Sequence, residues 1–282
     1  MIKLIISDMD GTLLNSRHEL PKDFMYVFEQ LRQRGIYFCA ASGRQYLSLL
    51  QFFDPIKDRM AFISENGAFV NVNGKEVYQN AISPYYIQQV LERYRQFTGM
   101  AVGLCGKKAT YLFPTTPYAE ELVRIYHHTV VKVTDLSEIE DDIFQITLLD
   151  PRGAREHSFP AFSSFSQEGL KVTISGAYWI DITNAGVNKG VAVTALQESL
   201  GITPNETMAF GDYLNDLELL ARATYSYAMK NAQEEVKQVA TYQTEEDNDH
   251  DGVLKTVRKG CLKFHRAKVR FFSNKAIYLI KV

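Results

Sequence analysis

Short apolar runs and stretches of helical period alternate along most of the chain. Apolar runs at residues 2–6, 36–41, 61–63, 207–210 and 224–229 are too short for buried helices, and most stop at Ser, Gly or Asp. They predict buried strands. Between them, amphipathic spacing predicts helices over residues 21–34, 45–53, 189–200, 214–221 and 234–240. Strands alternating with helices predict a doubly wound α/β core, a parallel sheet covered on both faces.

The stretch between the third and fourth of these strands has a different texture. Residues 69–78 alternate around Asn73-Gly74, the two-residue signature of a β-hairpin. After Ser83-Pro84 the pattern predicts a helix to residue 97, short strands at 101–104 and 110–113, and a helix at 118–127. It continues with a strand at 144–149, a helix through residue 165, and strands at 171–175 and 178–182. That mixture predicts an α+β domain at 83–184 inserted between core segments 1–82 and 185–262, followed by a basic tail at 263–282.

Composition narrows the class without choosing a function. The 282 residues are 46% hydrophobic and 23% charged, ordinary for a globular protein. No apolar run is long enough for a transmembrane helix, and the amino terminus lacks the pattern of a signal peptide. The three cysteines, Cys39, Cys105 and Cys261, are far apart and in no CxxC pattern, which predicts neither a disulfide framework nor structural zinc and fits a reducing cytoplasm. Net charge is only -2, but nine of the 31 Lys and Arg fall within residues 255–282, which hold no acid. Such an arm reads as an edge strand, a membrane or nucleic-acid contact, or a tail of no function.

The first strand ends in chemistry. Residues 2–7 run into Asp8-Met9-Asp10-Gly11-Thr12-Leu13, which places two carboxylates at the carboxyl end of a buried strand, where open α/β sheets bind ligands. A plain Asp-Gly turn is the simpler reading of the motif alone. An EF-hand is excluded, because its sixth position holds Leu13 instead of Gly. Downstream, Ser42-Gly43-Arg44 follows the second strand, Lys189 opens a helix, and Gly211-Asp212-Tyr213-Leu214-Asn215-Asp216 follows the fourth.

These four motifs, in this order, resemble those of the haloacid dehalogenase-like superfamily, and their spacing resembles its Cof-type phosphatases, over about residues 1–262. The resemblance implies a Rossmann-like core with the inserted domain as its cap, and hydrolysis of small phosphorylated metabolites, either sugar phosphates or phosphorylated cofactors. Asp8 would be the nucleophile that becomes an aspartyl-phosphate, which splits a very slow displacement in two. Asp10 would protonate the leaving oxygen and then deprotonate water, with nearby carboxylates favouring the proton it needs. Mg²⁺ would be held by the side chains of Asp8 and Asp212 and the backbone carbonyl of Asp10, with Asp216 supporting them. Met9, Ser42, Gly43, Lys189 and Asn215 would bind the phosphoryl group, Lys189 also neutralising charge; Asn215 would contact the phosphate or a carboxylate ligand.

Other readings stand beside it. A phosphomutase of the same superfamily has a similarly placed cap, but its last motif carries a longer glycine-rich insertion, whereas residues 211–216 are compact. A non-catalytic phosphate sensor using the basic tail would not need the nucleophile, acid and lysine together. Arg44 reads equally as a leaving-group contact or a structural ion pair, and Glu65-Asn66-Gly67 as a site-mouth loop or a turn. Residues 247–252 open like a calcium loop but lack its final acid, and Asp251 is expected to cap the last helix. The expected partner is a small phosphorylated metabolite, with neither nucleic acid nor membrane.

Overall fold

The computed structural model describes residues 1–127 and 129–262, so the basic tail at 263–282 and His128 lie outside the described residues. Among the described residues, fourteen strands form two sheets. The first sheet takes β1 (Leu4–Asp8), β2 (Tyr37–Ala41), β3 (Ala61–Ser64), β4 (Phe69–Val72) and β5 (Lys75–Gln79) from one end of the chain. The second is built from β6 (Ala101–Gly106), β7 (Thr110–Leu112), β8 (Val130–Lys132), β9 (Ile143–Leu149), β10 (Leu170–Ile174) and β11 (Trp179–Asn184). The chain then returns to the first sheet with β12 (Thr207–Gly211), β13 (Tyr225–Ala228) and β14 (Tyr242–Gln243).

The eight-stranded order is β14-β13-β12-β1-β2-β3-β4-β5. From β14 to β3 the strands run parallel, and the β4–β5 hairpin adds an antiparallel edge. β1 sits in the middle and is buried along its length, because helices cover the sheet and every side chain of Leu-Ile-Ile-Ser-Asp meets protein. Helix Phe24–Gln33 packs near Gly252–Cys261, and helix Lys189–Leu200 packs against Leu217–Leu220. The fold is thus an α/β doubly wound core with an inserted α+β unit.

The six-stranded order is β10-β11-β9-β6-β7-β8. Strand alternation gives this sheet two unlike faces. Val102, Leu104, Ile146, Leu148, Ile180 and Ile182 enter an apolar cluster with Ile87, Val90 and Phe162 from the helices behind. On the other face Ala101, Leu112 and Leu149 pack with Ala119 and Val123 of helix Pro117–Tyr126, which covers that part of the face.

Several local expectations are corrected. The first helix begins at Phe24, not at residue 21, because residues 21–23 form a turn closed by Phe24 N–H donating to the Pro21 carbonyl at 2.9 Å. The helix expected over 214–221 is a 3-10 turn, Leu214–Asp216, followed by the short helix Leu217–Leu220. β8 and β14, too short to carry a period, were not foreseen. Asp251 does not cap the last helix: it lies at φ +56°, without a capping side-chain bond, and Asp247 instead accepts from His250 N–H at 3.0 Å. No helix among the described residues is long and apolar enough to cross a membrane.

Candidate active site

Four strand ends meet at one edge of the first sheet. Asp8 is the last residue of β1, Ser42 follows β2, Glu65 follows β3 and Asp212 follows β12. Central parallel strands place their carboxyl ends side by side, so acids far apart in the chain converge. One carboxylate oxygen from each of Asp8, Asp212 and Asp216 lies within 4.8 Å of the others.

Lys189 enters this cluster from the first turn of its helix. Its side chain is fully buried, and Nζ donates to Asp8 Oδ1 at 2.5 Å and to Asp216 Oδ1 at 2.6 Å. Burial alone would depress the lysine, but Asp216 and Asp8 outweigh it and hold it above its ordinary value. Asp8 is pushed well above the usual carboxylate range by burial and then by Asp216, despite Lys189. Asp212 rises to about 6, mainly through burial, partly offset by Thr12. One ammonium therefore faces three carboxylates, and two negative charges stay uncompensated if all ionise. A hard divalent cation taking oxygen ligands fits that deficit.

Asp216 is tied on both sides. While Oδ1 meets Lys189, Oδ2 accepts from the backbone N–H groups of Asp212 and Tyr213 at 3.0 and 3.2 Å. It thereby locks the turn that presents Asp212, and this inward demand breaks the expected helix into two pieces. Asp212 Oδ1 accepts from Thr12 Oγ1 at 2.6 Å. Gly11, at φ +78°, is required here, because a Cβ would stand 2.4 Å from Asp212 Oδ2.

Asp10 has different neighbours from those expected. Arg44 grips it with two donors, Nε to Oδ2 at 2.7 Å and an η nitrogen to Oδ1 at 2.6 Å, and His18 Nδ1 lies 3.1 Å from Oδ1. Burial pushes Asp10 up, but the Arg44 and His18 contacts prevail and hold it below the ordinary range. The expectation that nearby carboxylates favour a proton on Asp10 is corrected for this state. Arg44 is ion-paired, with its guanidinium also 5.2 Å from the Phe52 ring centroid.

The remaining expected residues divide. Ser42 is buried and lines the same cleft as Asp8, and its Oγ accepts from Arg44 N–H at 3.1 Å. Gly43 packs so tightly that a Cβ would stand 2.9 Å from the Asn66 side chain. Met9 has no exposed side-chain surface, so only its backbone is available to a ligand. Asn215 donates to Asn66 Oδ1 at 3.0 Å, a partner sequence reasoning did not name.

Other residues at the cleft carry weak or no signals in the sequence. Gln45, immediately after Arg44, reaches the second sheet: it donates to the Gly106 carbonyl at 3.3 Å and accepts from Thr110 Oγ1 at 3.1 Å. Glu65 is buried, its Oε1 accepts from Tyr46 N–H at 3.0 Å, and burial raises its carboxyl to about 7. Consecutive positive φ angles at Glu65, Asn66 and Gly67 turn the chain sharply at the cleft. The Glu-Asn-Gly sequence signalled that turn, but nothing local signalled His18 or Gln45. Across a cavity of about 780 Å³, Asp8, Asp10, Ser42 and Asp212 face Gln145, Thr147, Trp179 and Asp181 of the second sheet.

Comparison with known proteins places this geometry among enzymes. A family model of haloacid dehalogenase-like hydrolases matches residues 5–257. The 5-amino-6-(5-phospho-D-ribitylamino)uracil phosphatase YbjI of Escherichia coli is 32% identical over 264 residues, covering 92% of this chain and 96% of that protein. The Bacillus subtilis phosphatase YcsE, named for the same substrate, is 27% identical, with 91% and 95% covered. A Streptococcus mutans crystal structure, 30% identical, matches with a TM-score of 0.77 over 92% of this chain and 98% of its own.

Proposed function

The chain belongs to the haloacid dehalogenase-like hydrolases, and we propose that it is a Mg²⁺-dependent phosphatase of small phosphorylated metabolites acting through an aspartyl-phosphate at Asp8. The observation that carries this reading is the buried contact of Lys189 with Asp8 and Asp216 beside Asp212 at the central strand ends. Nucleophile, neutralising ammonium and cation ligands occupy one site.

Lys189 holds Asp8 Oδ1, and the reading assigns attack on phosphorus to Oδ2. The P–O bond to the leaving group breaks as the Asp8–phosphorus bond forms, and Asp10 supplies the proton that the leaving oxygen takes. Water then attacks the aspartyl-phosphate, gives a proton to Asp10 and releases phosphate from Asp8. Ser42 Oγ and the backbone N–H groups of Met9 and Gly43 are assigned to the phosphoryl oxygens, with Asn215 at the edge of the site. Asp8, Asp212 and the Asp10 carbonyl are assigned to Mg²⁺, which when bound neutralises charge on the phosphoryl oxygens.

Arg44 adds a condition. Its grip keeps Asp10 ionised, so the acid role requires that grip to loosen, and the substrate's phosphoryl dianion competes for the same guanidinium. The second sheet unit serves as a cap over the cleft, which Gln45 already bridges. The three unpaired cysteines support a cytoplasmic placement. The names of the relatives favour a substrate of their kind, a phosphorylated polyol or cofactor precursor. Phosphate release from a metabolite panel, with and without Mg²⁺, tests the reading: turnover that needs the metal and disappears in Asp8→Asn supports it, and turnover that survives Asp8→Asn refutes it.

A further inference from the structure

The segment at residues 247–252, which opens like a calcium loop, turns its polar side chains toward the chain itself. Asp247 accepts from His250 N–H, and Gly252 N–H donates to the Asp247 carbonyl at 2.9 Å, which closes a turn at the head of helix Gly252–Cys261. From that turn two side chains reach the loop that follows β1. Asn248 Nδ2 donates to the Leu14 carbonyl at 2.9 Å, and Asp249 Oδ1 accepts from Ser16 N–H at 2.7 Å. A third contact comes from Asn231, just beyond β13. Its Nδ2 donates to the Gly11 carbonyl at 2.7 Å while its Oδ1 accepts from Asn248 N–H at 3.2 Å, so both ends of the amide have a partner of the right kind.

These contacts bracket Asp10. The loop is closed at its base by Leu13 N–H donating to the Asp8 carbonyl at 3.2 Å and Leu14 N–H donating to the Met9 carbonyl at 2.8 Å, with Gly11 toward its apex. Glycine has the widest backbone freedom of any residue, and Gly11 joins two peptide planes, one carrying the Asp10 carbonyl and the other its own. Asn231 pins the second plane while the Asp212 carboxylate packs against Gly11, so the first plane is restrained with it. Asn248 fixes the exit of the loop. Asp249 fixes the stretch that brings His18 Nδ1 to 3.1 Å from Asp10 Oδ1.

The ligand assigned to Asp10 is a backbone carbonyl, so no side-chain rotamer can aim it, and the fold of the loop must. We propose that Asn231 and Asn248 are positioning residues for the divalent cation: by holding the Gly11 and Leu14 carbonyls they keep the loop in the shape that joins the Asp10 carbonyl to the carboxylates of Asp8 and Asp212. The inference rests on the phosphatase reading and deepens it, and neither asparagine is assigned to the cation itself. Groups that orient a metal ligand without touching the metal commonly change its affinity by about 10–100-fold when removed. A contact that merely ties two loops together would lower the melting temperature and leave metal affinity alone.

Calorimetric titration of metal-free protein with Mg²⁺ reads the ligand set without turnover. Asn231→Ala is expected to raise the Mg²⁺ Kd by about tenfold, and to raise by a similar factor the Mg²⁺ concentration that gives half-maximal phosphate release from p-nitrophenyl phosphate. KM for p-nitrophenyl phosphate at saturating Mg²⁺ is expected to stay within about twofold of wild type. Asn248→Ala, which retains the backbone N–H that meets Asn231, is expected to move both metal readouts in the same direction, and it carries the test should Asn231→Ala fold poorly. A Mg²⁺ Kd within about twofold of wild type in the folded variants overturns the proposal, and a lowered melting temperature beside that unchanged Kd assigns the asparagines a structural role only. A folded wild type that neither binds Mg²⁺ nor releases phosphate refutes the phosphatase reading, and this inference with it.

Discussion

Lys189 and Asp216, 27 positions apart, form a 2.6 Å ion pair in which neither side chain is exposed to solvent. Removing one member of such a pair leaves the other charge buried. Lys189→Met is therefore expected to destabilise the chain by about 3–5 kcal/mol, and to abolish turnover. Urea unfolding checks it, and a loss below about 1 kcal/mol would show that the pair is not structurally coupled.

Metal binding is expected to be visible without catalysis. Mg²⁺ added to metal-free protein raises the melting temperature, because it relieves the repulsion among Asp8, Asp212 and Asp216; saturation at a hundredfold excess over Kd corresponds to about 2.7 kcal/mol. Asp212→Asn removes most of that shift. An unchanged shift in the variant places the ion elsewhere.

Arg44 sets the protonation of Asp10. In Arg44→Gln the Asp10 carboxyl rises, because its two-donor partner is gone while its burial persists. Carbon-13 titration of the Asp10 carboxyl reads this directly, and a titration that does not move refutes the assigned cause.

Glu65 gives stability a pH dependence. The folded chain keeps its proton up to about 7, whereas the unfolded residue releases it near 4.5. Between those values the native state binds more protons, so Glu65's contribution is complete below about pH 4.5 and is lost as pH rises through 7. Glu65→Gln removes this component, up to roughly 3 kcal/mol. Unfolding free energies of both proteins between pH 4 and 8 should converge at the acid end and separate at the neutral end in favour of the variant; parallel curves refute it.

Gly67 tests the turn beside the cleft. At φ +104° its missing Cβ would stand 2.3 Å from the Asn188 carbonyl oxygen, immediately before Lys189. Gly67→Ala is expected to cost at least about 1–3 kcal/mol and to slow turnover by displacing Lys189. Native-like melting with full activity would show that the loop yields freely.

The sequence pattern shows some of these features and hides others for physical reasons. β1 is legible because it is buried on both faces: its run stays apolar until Asp8, and the break marks the strand end. Lys189 has no local signature, since a lysine opening a helix looks solvated; its place among the motifs singled it out. The Arg44–Asp10 grip depends on two loops 34 positions apart meeting in space, and no period encodes that. Gln145 and Thr147 show alternation, but alternation does not tell which face helix Pro117–Tyr126 will leave open. Asp216 reads as part of a helix, but its side chain accepts from the N–H groups of Asp212 and Tyr213, and the helix starts only at Leu217.

Lys189 and Asp8 are separated by 181 positions, and every strand of the second sheet is synthesised between them. A chain emerging from the ribosome presents Asp8 almost at once, yet the ammonium that joins it arrives only after the whole insertion, and Asp212 and Asp216 later still. Contacts of such sequence separation carry a loop-closure cost and form slowly. Recovery of turnover during refolding should accordingly lag behind secondary structure, making catalysis a reporter of the last long-range docking event.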